Sequence, residues 1–514
     1  MSVAAPGSPA PSESHPEARV SAGALRGSRE GGVAVFRGIP FAEPPVGPLR
    51  FAAPGPVSSW DGVRSAVSFG PPPPQAGVFG MDAPSEDSAD ADDWLTVNVW
   101  SPDQGPGAGL PVMVWIQGGA YVFGTSGLPE YDGGRMARDG AVVVVTFNYR
   151  VGFEGFGQVE GAPANRGLLD QVAALQWVRD NIRAFGGDPD RVTVFGESAG
   201  GGSIAALLAM PRAAGLFGRA IAQSVPGTFF TPELAADIAA RCADELGLRP
   251  TRADLAAVTP ARLSAACDAV GARMAEWADR WGRIAHRSIP FAPVVDGEVL
   301  PATPWQSLAE GAGRDVDLLV GHTRDEHRLF SLLTGMLGQV TAEQATMALQ
   351  IYAPGEDGAR RYRDGHPEAS PEQLFELAHS DWLFRMPSLQ LAEAQAAGGG
   401  RVHVFELTWP APGMGGALGA CHGLDVPLVF GNLDRGQIAA LFGPAPSAEA
   451  LSAHMRAAWT GFAAHGDPGW PEYETGKRLV QLFDAKPTVT AYPEEASRLI
   501  WQDHPFRALP LIGR

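Results

Sequence analysis

The pentapeptide Gly196-Glu197-Ser198-Ala199-Gly200 is the strongest candidate for chemistry in this sequence of 514 residues. It directly follows the apolar run Val192–Phe195 and directly precedes an Ala-rich helical stretch. A serine on a tight turn between a strand and a helix is exposed for attack, and the positive end of the helix favours a developing oxyanion. The pattern therefore predicts that Ser198 is a nucleophile. The alternative is a glycine-rich turn whose serine only caps the helix.

A second loop of small residues, Gln117-Gly118-Gly119-Ala120-Tyr121, also follows an apolar run and lies about 80 positions before Ser198. Consecutive small residues allow backbone N–H groups to turn toward a carbonyl oxygen. The loop is thus expected to complete an oxyanion hole, although an ordinary Gly-Gly turn would give the same pattern.

A serine nucleophile needs a base, and the base is one of eleven histidines. His422 lies in the small-residue loop Gly419–Gly423, downstream of the strand-like run Val402–Leu407. It is the preferred candidate. His322 and His327 are rivals, because they flank the candidate acids.

The base in turn needs an orienting acid. Asp325 and Glu326 follow the apolar run Leu318–Val320, and spacing alone allows either of them. Both could instead belong to a solvated acidic turn.

Alternating apolar strands and amphipathic helices must position these groups. Residues 168–182 have helical spacing of apolar side chains, and residues 228–287 and 340–398 are predicted to be mostly helical insertions. Strands are predicted at Val112–Ile116, Val142–Val145, Val192–Phe195, Arg219–Gln223, Leu318–Val320 and Val402–Leu407. The pattern indicates an α/β fold with a mainly parallel central sheet and helices on both faces. We expect one domain over residues 20–514, after a flexible tail over residues 1–19.

The composition excludes several function classes. The chain carries 39 basic and 57 acidic residues, a net charge of −18, which disfavours nucleic-acid and anionic-membrane partners. Three dispersed cysteines argue against a disulfide framework and a structural zinc site. The first twenty residues have no secretory pattern, and no stretch is typical of a membrane span. We therefore expect a cytoplasmic protein, and no oligomeric state is predicted.

From about Val20 to its end the chain resembles the type-B carboxylesterases, the cholinesterase-like branch of the α/β-hydrolases, and particularly their bacterial p-nitrobenzyl-esterase-like members. Besides the serine pentapeptide, the resemblance rests on five segments in order: Phe36–Ala42, Asp92–Val99, Asn148–Arg150, Asn165–Gln171 and Ala184–Pro189. Together these motifs are highly specific.

The resemblance implies a role for each candidate. Ser198 would be the nucleophile, Glu326 the orienting acid and His422 the base, in the chain order of this fold. The oxyanion donors would be the backbone N–H groups of Gly119, Ala120 and Ala199. No metal or cofactor is implied.

Other positions are expected to support the site or the fold. Ser224, Glu197 and Gln117 should lie beside the reacting groups, and Gln117 stands where bacterial relatives usually have histidine. Arg50 and Asp92 resemble a structural salt bridge of the family.

The implied activity is that of a serine carboxylesterase that hydrolyses small, uncharged, hydrophobic esters of carboxylic acids through an acyl-enzyme. The rate should rise with pH through a histidine pKa near 6–7. The alternatives are a hydrolase of carbamates, amides or lactones, or an acyl transferase, which would use the same residues. A binding scaffold without catalysis, or a lyase, would be a further alternative. Expected lining residues of the pocket are Phe229, Phe230, Trp277, Trp281, Phe330, Leu333 and Trp382.

Overall fold

A computed structural model describes residues 15–75, 92–105, 107–436 and 446–513. Residues 1–14 of the predicted tail lie outside this range. The predicted boundary of the tail at residue 19 is wrong, because Glu17–Val20 form a strand. Ala18 and Val20 are buried in the core while Glu17 and Arg19 face outward, and this alternation stabilises the strand.

The strands are β1 (Glu17–Val20), β2 (Gly23–Arg26), β3 (Ser28–Glu30), β4 (Val33–Pro40), β5 (Val63–Ser65), β6 (Thr96–Ser101), β7 (Leu110–Ile116), β8 (Val143–Phe147), β9 (Gly187–Glu197), β10 (Arg219–Gln223), β11 (Asp317–Thr323), β12 (Val402–Leu407), β13 (Leu479–Phe483) and β14 (Thr488–Ala491).

The α-helices are Gly134–Gly140, Gly152–Phe156, Arg166–Asn181, Ala199–Ala209, Pro232–Asp244, Arg252–Leu255, Pro260–Ala272, Ala278–Trp281, Pro304–Ala309, Arg328–Leu333, Ala342–Tyr352, Gly358–Gly365, Pro371–Ser380, Met386–Ala397, Asp425–Phe430, Pro446–His465 and Glu495–Trp501. Short 3₁₀ turns include Pro129–Tyr131, Ile182–Phe185, Met274–Trp277 and Gly282–His286, and Asp381–Arg385 is a π-helical turn.

Eleven strands form one large sheet in the order β14-β13-β12-β11-β10-β9-β7-β8-β6-β4-β3. The pairs from β8 to β13 are parallel, and the pairs at both margins are antiparallel. β1, β2 and β5 form a separate small sheet. The predicted α/β fold with a mainly parallel central sheet is confirmed.

Both faces of the large sheet are covered, which explains the continuous apolar runs of its strands. Along β7, Val112, Val114 and Ile116 face one core while Met113 and Trp115 face the other. Helices Arg166–Asn181 and Ala199–Ala209 cover the first face, and helix Pro446–His465 covers the second. Within the described part of the chain, no helix combines the length and apolar character needed to cross a bilayer.

The expected salt bridge between Arg50 and Asp92 is wrong. The Arg50 guanidinium is buried against helix Gly152–Phe156, where it lies 2.5 Å from Oε1 of Glu154 and donates to backbone carbonyl oxygens that include Leu255 O at 3.2 Å. Asp92 is exposed at the surface. The buried carboxylate and carbonyls compensate for the lost hydration of Arg50 better than an exposed aspartate could.

Candidate active site

Ser198 stands between the end of β9 and helix Ala199–Ala209. Its backbone has φ 58° and ψ −125°, a region that residues with a Cβ rarely adopt. Two hydrogen bonds hold this conformation: the Ser198 N–H donates to Gln223 O at 2.9 Å, and the Gly202 N–H donates to Ser198 O at 2.9 Å. The strained turn thus presents a half-buried serine side chain at the edge of the sheet.

The two glycines of the pentapeptide allow β7 to pass close beneath this turn. A Cβ on Gly196 would lie 2.6 Å from the carbonyl oxygen of Ile116, and a Cβ on Gly200 would collide with the same oxygen. Neither position has room for a larger residue, because the obstacle is backbone.

Glu326 follows strand β11, and His422 lies in a loop downstream of the adjacent strand β12. Nδ1 of His422 lies 2.5 Å from Oε2 of Glu326, whose side chain is completely buried. Its other oxygen, Oε1, accepts from the Ser224 hydroxyl at 2.6 Å and from the Thr323 N–H at 2.9 Å. Burial opposes the charged form, but the charge and hydrogen bond of His422 and the Ser224 hydroxyl keep the Glu326 pKa below its usual value.

Asp325 faces a different set of groups from Glu326. Its Oδ2 accepts from the Ala420 N–H at 2.8 Å and lies 3.0 Å from Arg324 Nη2, while Arg328 is 3.3 Å from Oδ1. The two neighbouring acids therefore have different partners. Glu326 contacts the imidazole of His422, and Asp325 anchors the loop that carries His422.

The second ring nitrogen of His422 faces Glu197. Nε2 lies 3.0 Å from Oε1 of Glu197, without the angles of a hydrogen bond. Burial lowers the His422 pKa, but the carboxylates of Glu197 and Glu326 outweigh burial and raise it to about 9. Burial raises the Glu197 pKa to about 8. Both side chains therefore favour their protonated forms more than the free groups do.

The two rival histidines lie elsewhere. His322 is buried between Tyr492 Oη and its neighbour's carbonyl, Thr323 O, both at 3.0 Å, and burial lowers its pKa to about 4. His327 contacts Arg287 at 3.3 Å, and burial holds its pKa well below 6.5. The structure brings neither ring to the pairing position that His422 occupies with Glu326.

The loop after β7 exposes backbone donors beside Ser198. Gly119, Ala120 and Tyr121 all have positive φ, at 110°, 53° and 63°. The carbonyl of Gly119 accepts from the N–H groups of Val122 and Phe123, which closes the loop. Among the described residues, none accepts a hydrogen bond from the N–H groups of Gly119, Ala120 or Ala199, and all three residues line one cavity with Ser198.

Gln117 supports this loop through its backbone. Its carbonyl accepts from the Tyr149 hydroxyl at 2.8 Å. Both polar atoms of its buried side chain lack a hydrogen-bond partner in the described residues. The amide therefore lies near the loop without fixing the donors.

Known proteins with a similar sequence identify the family of this chain. A model of the Carboxylesterase family matches residues 14–498. The chain belongs to the carboxylesterase family. It is 39% identical over 486 residues to the para-nitrobenzyl esterase of Bacillus subtilis, an alignment that covers 93% of this chain and 96% of that protein.

Solved structures agree with the family assignment. A carboxylesterase of Geobacillus stearothermophilus aligns with a TM-score of 0.83 and 36% identity, over 95% of this chain and 100% of the other. A PNB esterase structure aligns with a TM-score of 0.81 and 38% identity, over 95% and 99% of the two chains. The predicted family, the α/β-hydrolase fold and the activity class are confirmed: this carboxylesterase is a serine hydrolase acting on carboxylic esters.

The cavity of this carboxylesterase has a volume of about 450 Å³. Ser198, Glu197 and His422 lie along it. Most of its other lining is apolar and includes Leu128, Ile284, Ile289, Phe291, Leu383 and Phe384. It is thus large enough, and apolar enough, for a small-molecule ester.

The sequence predicted only part of this lining. Phe330 and Leu333 face the cavity as expected. Trp281 and Trp382 instead line a separate cavity of about 540 Å³ near the C-terminus. The remaining expected residues pack in or against the core: Phe229, Phe230 and Trp277. The direction of each side chain depends on how the insertions pack, which no local pattern records.

Two residues that sequence reasoning missed contact the site. Phe384, on the π-helical turn, stacks on the His422 ring with centroids 4.2 Å apart and an interplanar angle of 26°. It covers the imidazole with an apolar face. Arg287, at the end of the turn Gly282–His286, is the only arginine or lysine among the described lining residues. Neither stands in a recognisable motif.

Proposed function

We propose that Ser198 is the nucleophile of this esterase, His422 its general base and acid, and Glu326 the carboxylate that orients His422. The oxyanion donors in this proposal are the backbone N–H groups of Gly119, Ala120 and Ala199. Ser224, Glu197 and Gln117 support these groups without bonding to the ester.

The observation that carries the proposal is the continuous chain of short contacts from Ser224 through Glu326 to His422, which ends in the cavity that Ser198 also lines. Glu326 fixes Nδ1 of His422 as the protonated nitrogen, so Nε2 is left to accept a proton. The strained turn at Ser198 is costly and is typical of a functional position.

In the first half-reaction, Nε2 of His422 takes the proton of Ser198 Oγ as that oxygen attacks the ester carbonyl carbon. The carbonyl oxygen becomes negative and is stabilised by the three backbone donors. His422 then passes the proton to the departing alcohol oxygen, the C–O bond breaks, and the acyl group remains on Ser198.

In the second half-reaction, water takes the place of the alcohol. His422 removes a proton from water, the hydroxide oxygen attacks the acyl carbon, and the proton returns to Ser198 Oγ as the carboxylic acid leaves. Phe384 covers the imidazole during both steps, which keeps the proton transfers away from bulk water.

We propose that the substrates are small esters with hydrophobic groups, because the lining is largely apolar. We also propose a cytoplasmic location without nucleic-acid partners. All three cysteines are buried free thiols, as suits a reducing compartment, and the net charge is −18.

The proposal is tested with p-nitrophenyl butyrate and with the substitution Ser198→Ala. We expect the substitution to lower kcat by about 10⁴- to 10⁶-fold. Ser307→Ala, which removes a buried hydroxyl away from the cavity, should leave the rate unchanged. A fluorophosphonate should label the wild type at Ser198 and fail to label the Ser198→Ala variant. Hydrolysis that survives in Ser198→Ala would contradict the assignment.

A further inference from the structure

Arg287 lines the active-site cavity without a carboxylate partner among the described residues. Among the described residues, no carboxylate lies within ion-pair distance of its guanidinium, although most arginines of the chain have such a partner. Its only side-chain hydrogen-bond partner there is Nε2 of His327, at 3.3 Å from Nη1. Its guanidinium also lies over the Phe330 ring, and this cation–π contact offsets part of the cost of holding a charge partly out of water. A ligand carboxylate would offset the rest.

His327 fixes the guanidinium in place. Burial and the neighbouring cations keep the His327 ring neutral at physiological pH, so its Nε2 can accept from Arg287. The backbone N–H of His327 is itself held by Glu376 Oε1 at 2.9 Å and by Ser380 Oγ at 3.0 Å. The residue that contacts Arg287 is therefore itself held by two hydrogen bonds.

Arg287 lines the cavity and has N–H donors beyond the one that contacts His327. Arginine has five N–H donors, and the contact with His327 uses one of them. No Arg287 nitrogen is both fully buried and without a hydrogen-bond partner, so the donors that His327 does not use remain accessible. A planar fork with free N–H groups matches a carboxylate, which can accept two parallel hydrogen bonds.

Arg287 also lies close to the reacting groups. Its Cζ is 5.2 Å from the centre of the Phe330 ring, and that ring centre is 5.2 Å from the ring of His422. A single aromatic ring thus separates the guanidinium from the base. The carboxyl groups of the cavity, Glu130 and Glu197, both have pKa values raised by burial, so they offset the Arg287 charge weakly.

We propose that Arg287 is a specificity-determining residue that binds a carboxylate carried by the ester substrate, so that this enzyme prefers anionic half-esters over neutral esters of equal size. This inference rests on the proposed function of Ser198. It also revises the expectation of an uncharged substrate, which the apolar lining alone had suggested.

The carboxylate can belong to the acyl side or to the alcohol side of the ester, and two substrate pairs distinguish these sources. Monoethyl glutarate against ethyl valerate places the charge on the acyl side. 4-Acetoxybenzoate against its methyl ester places it on the alcohol side. For each pair, the measured quantity is the ratio of kcat/KM for the anionic ester to kcat/KM for the neutral one.

We expect the wild type to give a ratio above one for one of the two pairs. Arg287→Met should lower that ratio by about 10- to 100-fold, the effect of losing a charge-assisted, two-point contact. Arg287→Lys should restore part of it, because the charge remains without the fork. The matched control is Arg283→Met, on the same short turn, whose side chain donates to Ala353 O and lines the other cavity. It should leave the ratio unchanged.

The ratio in the wild type is informative even if a variant folds poorly. Ratios below one for both pairs would overturn the inference, as would a ratio that Arg287→Met leaves unchanged. Hydrolysis of ethyl valerate that requires Ser198 would keep the proposed function intact in either case. Inactivity of the wild type toward all four esters would instead overturn the proposed function, and this inference with it.

Discussion

Nε2 of His422 lies 3.0 Å from Oε1 of Glu197, the residue directly before Ser198. The Glu197 pKa is raised to about 8 by burial, while the carboxylates of Glu197 and Glu326 overcome burial and raise the His422 pKa to about 9. Two groups this close titrate as a pair. Because the base must be neutral to accept the serine proton, the protonation of this pair governs the acidic side of the pH–rate profile.

The first prediction concerns the substitution Glu197→Gln. A carboxylate beside an imidazole favours the protonated ring, so its removal should lower the His422 pKa. The acidic limb of the kcat/KM profile should then move to lower pH than in the wild type. In the wild type we expect this limb above the ordinary histidine value of about 6.5, and therefore above the range expected from sequence alone.

The measurement is kcat/KM for ethyl valerate across the pH range of the acidic limb. Glu130→Gln is the control, because Glu130 lines the same cavity and its charge is not among the main causes of the His422 shift. A limb that stays in place in Glu197→Gln, or moves to higher pH, would contradict the prediction.

The second prediction compares neighbouring acids. Glu326→Gln should lower kcat by roughly 10⁴-fold, because an amide cannot replace the carboxylate that fixes the His422 tautomer and stabilises the imidazolium. Asp325→Asn should cost much less kcat and mainly lower the melting temperature, because Asp325 anchors the loop through the Ala420 N–H. The reverse order of the two kcat values would show that the acid had been misassigned.

The third prediction concerns Ser224, whose hydroxyl donates to Glu326 Oε1 at 2.6 Å. Ser224→Ala removes a charge-assisted hydrogen bond from a buried carboxylate, and kcat should fall by about tenfold or more while KM changes little. Ser388→Ala is the control, because the Ser388 hydroxyl accepts from the neighbouring Val225 N–H and does not contact Glu326. Equal losses in the two variants would indicate a general packing effect.

Strands were easier to predict than the site. Arg219–Gln223 and Val402–Leu407 match β10 and β12 residue for residue, because both strands are rich in apolar side chains, as is typical of strands covered on both faces. The predicted strand Val192–Phe195 lies within the buried second half of β9, which begins at Gly187. Its first residue, Gly187, pairs with Leu110 of β7 before the register shifts, and long-range pairing of this kind has no local signal.

Positions of side chains within the site depended on tertiary structure. Spacing could not choose between Asp325 and Glu326, because adjacent residues in a turn point in different directions that only the fold defines. The family resemblance favoured Glu326, and its carboxylate is the one that contacts His422. Nothing in the sequence indicated that Arg287 lines the site, since an arginine in a helical insertion is typical of a solvated surface. Its position in the cavity follows from how that insertion packs.

The last prediction concerns stability and compares two ion pairs. Arg150 and Asp170 are 1% and 0% exposed, and Asp170 accepts from Nη2 at 2.7 Å, from Nε at 2.8 Å and from the Arg150 N–H at 2.9 Å. Asp170→Asn leaves the arginine charge buried without a counter-charge, so we expect the free energy of unfolding to fall by about 3–5 kcal/mol. Glu17→Gln breaks the Arg26–Glu17 pair, whose side chains are 53% and 54% exposed, and should cost less than about 1 kcal/mol. Urea unfolding at neutral pH measures both values. Similar losses would contradict the prediction, because water and salt screen only the surface pair.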